Sequence, residues 1–372
     1  MTKTKTAGAA RGGLEASPQS RGFRMPAEWA PHRATWLAFP HHRTDFPGKL
    51  HAVAWTFAEM ARVLSAAEDV RLLVRDRAEG SRARAMFGAA GVDLSRLTLV
   101  LADTNRSWTR DSMPLWVTQG RARPQGKIAV NFRFDGWARY RDHHKDDAAG
   151  VKVASRSLSQ KECASIYVPT FPDGTRAVLE GGSIDVDEFG TLLTTRECLL
   201  TSPRARFKKW GEALCEQMLS ESLGVTKVVW LESGIAGDDT SGHIDDFARF
   251  APGGKVLISS EVSRKDANFV PLQKALKTLE ASTNAKGKRL SVLPLPMPSP
   301  ASYRGERLPA SYANFYVGNA AVLVPVFNDP KDREALEIIA GAFPDRPTVG
   351  IYARDLVVGL GTLHCSSMQE PL

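Results

Sequence analysis

Apolar residues in this chain come in short consecutive runs, separated by longer stretches in which they recur every three or four positions. The runs read as buried strands and the wider spacing as helices with one apolar face. Strands are expected over residues 35–39, 70–74, 97–101, 128–132, 177–179, 191–194, 228–231, 256–259, 290–293, 315–317 and 321–326. Helices are expected over 50–65, 77–87, 203–219, 270–279 and 330–340, the first with Val53, Phe57, Met60, Ala61 and Leu64 along one side. Strands outnumber helices and arrive in clusters punctuated by single helices. That is a mixed α/β pattern, neither a strict strand–helix alternation nor an all-β spacing. The cluster recurs without any exact sequence repeat, which points to a degenerate structural one. Residues 1–22 carry no periodic pattern and are expected to form a flexible tail ahead of a single domain over 23–372.

Composition narrows this picture. A hydrophobic content of 43% and a charged content of 24% belong to a globular chain. No apolar run approaches the roughly 20 residues of a membrane span, and no apolar core follows the first lysines as an export signal would require. The net charge of +8 raises the question of nucleic acid, but the basic residues are scattered, as at Arg82, Arg84 and the stretch from Arg204 to Lys209, and read as solvated surface. Cys163, Cys198, Cys215 and Cys365 form no CxxC pair, so no zinc ribbon or redox motif can be drawn. Reduced thiols in the cytoplasm are the expectation. Neither a glycine-rich dinucleotide turn nor a phosphate-binding loop is present.

Five segments place polar residues in apolar surroundings. Trp108-Thr-Arg-Asp111-Ser-Met-Pro114 sets a carboxylate beside an aromatic ring, which suits a flat cation or else forms a strand-end turn. Leu179-Glu180-Gly-Gly182-Ser183 delivers a carboxylate to a place where backbone and ligand come close. Just beyond, residues 187–190 read as a hairpin turn; the calcium-loop template fails at Phe189 and Arg196. Gly237-Asp238-Asp239-Thr-Ser-Gly242-His243-Ile244-Asp245 puts an imidazole and a carboxylate on one face of an extended segment, half of a metal site or half of an acid–base site. The adjacent pairs His41-His42 and His143-His144 diverge and supply no third ligand. Gly361-Thr-Leu-His364-Cys365 offers a thiol among small and polar neighbours, either a buried small residue or a nucleophile. The aromatic-rich Asn131-Phe-Arg-Phe134-Asp135-Gly-Trp137 is expected to be core packing.

Taken in this order, and with Met25-Pro-Ala-Glu-Trp-Ala-Pro-His32 and Trp36-Leu-Ala-Phe-Pro40-His41, the segments resemble the agmatine deiminase family of guanidine-modifying enzymes over roughly residues 25–371. The resemblance implies a five-module α/β propeller with pseudo-fivefold symmetry. It also implies Cys365 as nucleophile, His243 as general acid/base, Asp111 and Asp245 as the guanidinium clamp, and Glu180 as the residue orienting the histidine. Trp108, Asp239 and Gly182 are expected to bind substrate. No metal and no organic cofactor are implied. The expected partner is a small cationic guanidine, agmatine first; neither nucleic acid nor a membrane is expected, and self-association stays open. Rival readings are a deiminase of arginine or peptidyl-arginine, a non-catalytic binding propeller, and a metallohydrolase. The sequence departs from the family at Arg33, at Met113 and at Ser367-Met-Gln369-Glu-Pro371, the last two expected to touch the pocket rim. Arg133 is the one basic residue expected near the site, facing the surface or an internal ion pair.

Overall fold

The computed structural model describes residues 16–119, 126–160 and 162–372. The chain opens with β1 (His32–Ala38), α1 (Leu50–Leu64), β2 (Asp69–Val74), α2 (Arg77–Ala89) and β3 (Leu97–Leu101), then a single helical turn, α3 (Thr109–Ser112). β4 (Leu115–Thr118), β5 (Lys127–Val130), α4 (His144–Ser159) and β6 (Ser165–Tyr167) follow. Next come β7 (Asp185–Val186), β8 (Thr191–Thr195), α5 (Gly211–Leu223) and β9 (Lys227–Leu231), then β10 (Ala248–Ala251), β11 (Lys255–Ser260), α6 (Phe269–Ala281) and β12 (Ser291–Pro296). A small hairpin, β13 (Ser302–Tyr303) with β14 (Glu306–Arg307), leads to β15 (Tyr316–Val317), β16 (Val322–Val326), α7 (Asp332–Ala342), β17 (Thr348–Tyr352) and the closing strand β18 (Met368–Pro371).

Among the described residues these strands make five sheets besides the hairpin, and the five share one plan. An antiparallel pair is followed by a helix that returns the chain to a parallel third strand: β4-β5-β6, β7-β8-β9, β10-β11-β12 and β15-β16-β17. The first sheet has the same plan with its members drawn from both chain ends. β18 pairs antiparallel with β1, Trp36 opposite Met368, while β1 and β2 run parallel and β3 extends the sheet. A parallel strand needs a crossover connection, and a helix with one apolar face supplies it while covering the sheet. In α1 that face is the expected one, with Val53, Phe57, Met60, Ala61 and Leu64 all buried.

The periodicity located most of these elements within a few residues. The short or mixed-composition ones escaped: β7 has two residues, β17 carries Gly350, and the buried face of α4 mixes Ala149, Val153 and Ala154 with Asp146, Gly150 and Ser157. Residues 177–179 are not a strand; Val178 makes only an isolated bridge to Arg133. The helix expected over 203–219 starts later, at Gly211, whose φ of +79° sets it apart from the preceding turns. The turn at 187–190 does join β7 to β8, with Asp187 Oδ1 accepting the N–H groups of Phe189 and Thr191 at 2.8 and 2.7 Å. Of the expected tail, residues 1–15 lie outside the described residues. Gln19–Arg21 forms a 3-10 turn tied to α5 by Gln19 Nε2 donating to Ser220 Oγ at 2.8 Å. Among the described residues no helix is long and apolar enough to cross a membrane.

Candidate active site

The segment that enters each module's antiparallel pair carries a polar residue to one place. Asp111 lies in α3 ahead of β4, and Glu180 and Gly182 lie ahead of β7. His243 caps the 3-10 turn before β10 and Asp245 lies within it, Asn314 precedes β15, and Cys365 precedes β18. Five repeats of one topology thus deliver six polar side chains, two of them from the segment before β10. All are buried: Glu180 and Asp245 at 0% exposure, His243 at 1%, and Cys365, nearest the opening, at 8%.

His243 is the hub. Its Nδ1 stands 3.9 Å from Asp111 Oδ1 and 3.9 Å from Asp245 Oδ1, and its Nε2 stands 3.8 Å from Glu180 Oε2. Neither ring nitrogen makes a hydrogen bond, nor does Asp245 Oδ1. Buried polar atoms without partners are uncommon and mark where a ligand would be satisfied. Asp111 is held by two donors, Gly182 N–H at 2.9 Å and Trp137 Nε1–H at 2.8 Å. Asp245 Oδ2 is 2.6 Å from His364 Nδ1, whose Nε2 is 2.7 Å from Glu28, itself paired with Arg110 and Arg249. Cys365 Sγ receives Asn314 Nδ2–H at 3.1 Å and lies 3.6 Å from Asp245 Oδ2. Asn314 Oδ1 accepts the N–H groups of Thr362 and His364, both at 3.2 Å, which fixes the turn presenting the sulfur.

The charges are arranged for a cation. Burial pushes the Asp111 carboxyl up to about 6, with Asp245 and Glu180 adding to it against the pull of His243. Burial also raises Asp246 well above the carboxylate range, helped by Asp245. The Cys365 thiol is driven well above its ordinary value by burial and then by Asp245, Asp246 and Asp111. Burial disfavours charge on His243, yet Asp111, Cys198 and Glu180 outweigh it and hold the ring well above the usual imidazole range. Glu180 stays below its ordinary value although buried, because Arg206 donates to both its oxygens at 3.0 Å.

A pocket opens onto Cys365 and Asp111 between Trp108, Trp137 and the turn Gly359-Leu360-Gly361. Asp239, Tyr140, Asp45 and Arg106 form its mouth. Of the eight candidate site residues, Trp108, Asp111, Asp239 and Cys365 line the pocket, and Glu180, Gly182, His243 and Asp245 cluster behind Asp111. Several expectations change. Residues 243–246 are not extended; Ile244–Asp246 is a 3-10 turn, and it is the turn that lets His243 and Asp245 converge. Trp137 belongs to the site rather than to the core alone, carried there by left-handed backbone at Gly136, Trp137 and Ala138. Arg206, within a run read as solvated, is buried against Glu180. Neither Met113 nor Gln369 reaches the rim: Met113 packs in the core and Gln369 accepts from Arg110 at 2.7 Å. Arg133 is exposed, and the arginine at the mouth is Arg106, which sequence reasoning missed along with Asn314, His364, Glu28 and Tyr140.

The family model of the Porphyromonas-type peptidyl-arginine deiminase matches residues 24–371. The agmatine deiminase of Ectopseudomonas mendocina (strain ymp) is 33% identical over 382 residues, covering 96% of this chain and 98% of its own. Among solved structures, the agmatine deiminase of Enterococcus faecalis, described as catalysing its reaction, superposes with a TM-score of 0.86 at 29% identity, over 97% of this chain and 99% of that one. A cysteine-to-serine agmatine deiminase of C. jejuni with substrate bound gives a TM-score of 0.81 at 28% identity, over 94% and 96% of the two chains.

Proposed function

The chain belongs to the Porphyromonas-type peptidyl-arginine deiminase family, and within it we propose that this protein is an agmatine deiminase, a hydrolase that converts agmatine to N-carbamoylputrescine and ammonia. The observation that carries the reading is the convergence of a thiol, an imidazole and two carboxylates around unpartnered polar atoms, with Cys365 and Asp111 lining an aromatic-walled pocket and His243 and Asp245 buried behind them.

A guanidinium is resonance-stabilised and a poor electrophile, so position and charge must do most of the catalysis. In our reading Asp111 and Asp245 take its N–H groups and hold its carbon beside Cys365 Sγ. The thiol is neutral while three carboxylates face it alone. A bound cation offsets them and favours the thiolate. The sulfur forms a bond to the guanidine carbon, and His243 gives a proton to the nitrogen that leaves as ammonia. Water then adds to the S-alkylthiouronium with His243 as base, and the carbon–sulfur bond breaks to give the ureido product and the free thiol. Glu180, gripped by Arg206, orients the ring. Nothing in these steps calls on a metal or an organic cofactor.

Three further readings go with this proposal. The five strand–strand–helix–strand units form a five-module α/β propeller with pseudo-fivefold symmetry, supported by their common plan and by β18 joining the last unit to the first. Residues 23–372 act as one catalytic domain. The setting is cytoplasmic, in keeping with four unpaired, buried thiols, and neither nucleic acid nor a membrane is a partner. Ammonia release from agmatine by the wild type and by Cys365→Ser tests the function. Absence of release from the wild type overturns it, and release by the serine variant overturns the nucleophile.

A further inference from the structure

We propose that Glu180, Cys198 and His243 form a binding site for a divalent transition-metal ion of zinc's class, and that filling it silences the enzyme. Cys198 follows β8 in the turn Glu197–Thr201 and is fully buried. Its N–H donates to Thr195 Oγ1 at 3.1 Å and its carbonyl accepts Arg206 N–H at 3.2 Å, so the local backbone sets where the sulfur sits. Packing among Leu199, Phe207 and Cys215 explains a small buried residue here. It does not explain why the thiol lies beside a carboxylate and an imidazole whose two nitrogens, 1% exposed, have no hydrogen-bond partner.

The geometry fits a tetrahedral ion. One donor atom from each of the three residues lies within 4.8 Å of the others. Bonds of about 2.0 Å to nitrogen and oxygen and about 2.3 Å to sulfur would space such donors roughly 3.3–3.7 Å apart. His243 Nε2 and Glu180 Oε2 are already 3.8 Å apart. Arg206, on both Glu180 oxygens, supplies the outer hydrogen bonds that ligating carboxylates carry. A thiolate with an imidazole selects zinc-like ions over magnesium or calcium. The ion would sit on the side of the ring away from Asp111 and Asp245, which face Nδ1. With Nε2 on the metal, the ring keeps its one proton on Nδ1, the nitrogen facing the clamp, and giving it up would leave an imidazolate; His243 can then no longer cycle between acid and base while the pocket stays open.

Only the inhibitory half of this proposal rests on the deiminase reading; binding is measured without substrate. The whole chain is titrated with Zn²⁺ against a chromophoric chelator, and with Co²⁺ as a probe whose thiolate ligation shows as a near-ultraviolet charge-transfer band. The expected result is one tight ion and the band in both the wild type and Cys365→Ser. Cys198→Ser should lose the band and bind zinc at least about tenfold more weakly. Ammonia release by the wild type should fall in step with occupancy and return with chelator. In Cys198→Ser, normalised to its own metal-free rate, inhibition should need at least about tenfold more zinc. Asp245, Asp246 and Cys365 also bring donor atoms within 4.8 Å of one another. A band that survives in Cys198→Ser and disappears in Cys365→Ser would place the ion there and overturn the proposal. His243→Ala separates a folding defect from a ligand defect, since it should keep the cobalt–thiolate band and bind more weakly; unchanged affinity in that variant also overturns it.

Discussion

Asp111 shows what a single residue contributes and how it can be tested. It must be ionised to take guanidinium N–H groups, and burial has moved its carboxyl to about 6. A raised carboxylate is neutral below its folded value, so the clamp loses half its charge as pH falls through about 6 and keeps it above. His243 lies above its ordinary value and remains a cation across that window. The kcat/KM for agmatine should therefore fall about tenfold per pH unit below 6. Asp111→Asn should flatten that limb; an unchanged acid limb in the variant would assign it to another group. Cys365→Ser should cost several orders of magnitude in kcat with the fold intact, because a serine hydroxyl is far less ionised than a thiol. Residues of this kind were legible in the sequence because each stood in a short motif with glycine, histidine or an aromatic beside it. Asn314 did not stand out. It lies in an apolar stretch ending in β15, and its hydrogen bond to the Cys365 sulfur joins positions 51 apart. Arg206 was hidden for the same reason: a basic residue in a basic run gives no sign of a buried carboxylate 26 positions away.

At the scale of one element, the 3-10 turn Gly181–Ser183 places the clamp. Gly182 N–H holds Asp111, and a Cβ built on Gly182 would meet His243 Nδ1 at 2.6 Å and Asp111 Oδ1 at 2.9 Å. The backbone there is not left-handed, so alanine creates no conformational strain. The requirement for glycine is space for the reacting groups. Gly182→Ala should fold with an ordinary thermal midpoint yet lose about 10² or more in kcat/KM, the scale of an ångström-sized misplacement in a catalytic set. Near-wild-type turnover would mean the clamp is not where this turn puts it. The double glycine was legible as a close approach, but what approaches was not. Strands and amphipathic helices follow local periodicity, whereas two-residue strands and 3-10 turns are set by the neighbours they meet in space.

The pocket mouth belongs to the whole molecule, because it is assembled from segments far apart in the chain. Asp45 comes from the connection after β1, Arg106 from the one before α3, Tyr140 from the one before α4, and Asp239 from the turn ahead of β10. Arg106 bears on substrate choice. Agmatine ends in an ammonium, whereas arginine adds a carboxylate that needs a cation of its own when it leaves water. Arg106 is the basic residue on the wall, but Asp45 holds one of its terminal nitrogens and Asp142 the other, at 2.9 Å, while its plane lies 4.4 Å from the Tyr140 ring centroid. Its charge is thereby answered within the rim by two aspartates, with only Nε left without a partner, and Asp239 adds a further acid. The local field at the mouth outweighs a net charge of +8 spread over the surface. Agmatine should exceed free arginine by at least about 10³ in kcat/KM, the scale set when a competitor leaves a buried polar group unpaired. Asp45→Asn releases one nitrogen of Arg106 and should shrink that ratio by about tenfold or more, mainly by improving arginine, for an interaction of about 1.4 kcal/mol. A ratio near one in the wild type, or one that Asp45→Asn leaves untouched, would show that Arg106 already serves a carboxylate or never meets the far end of the substrate.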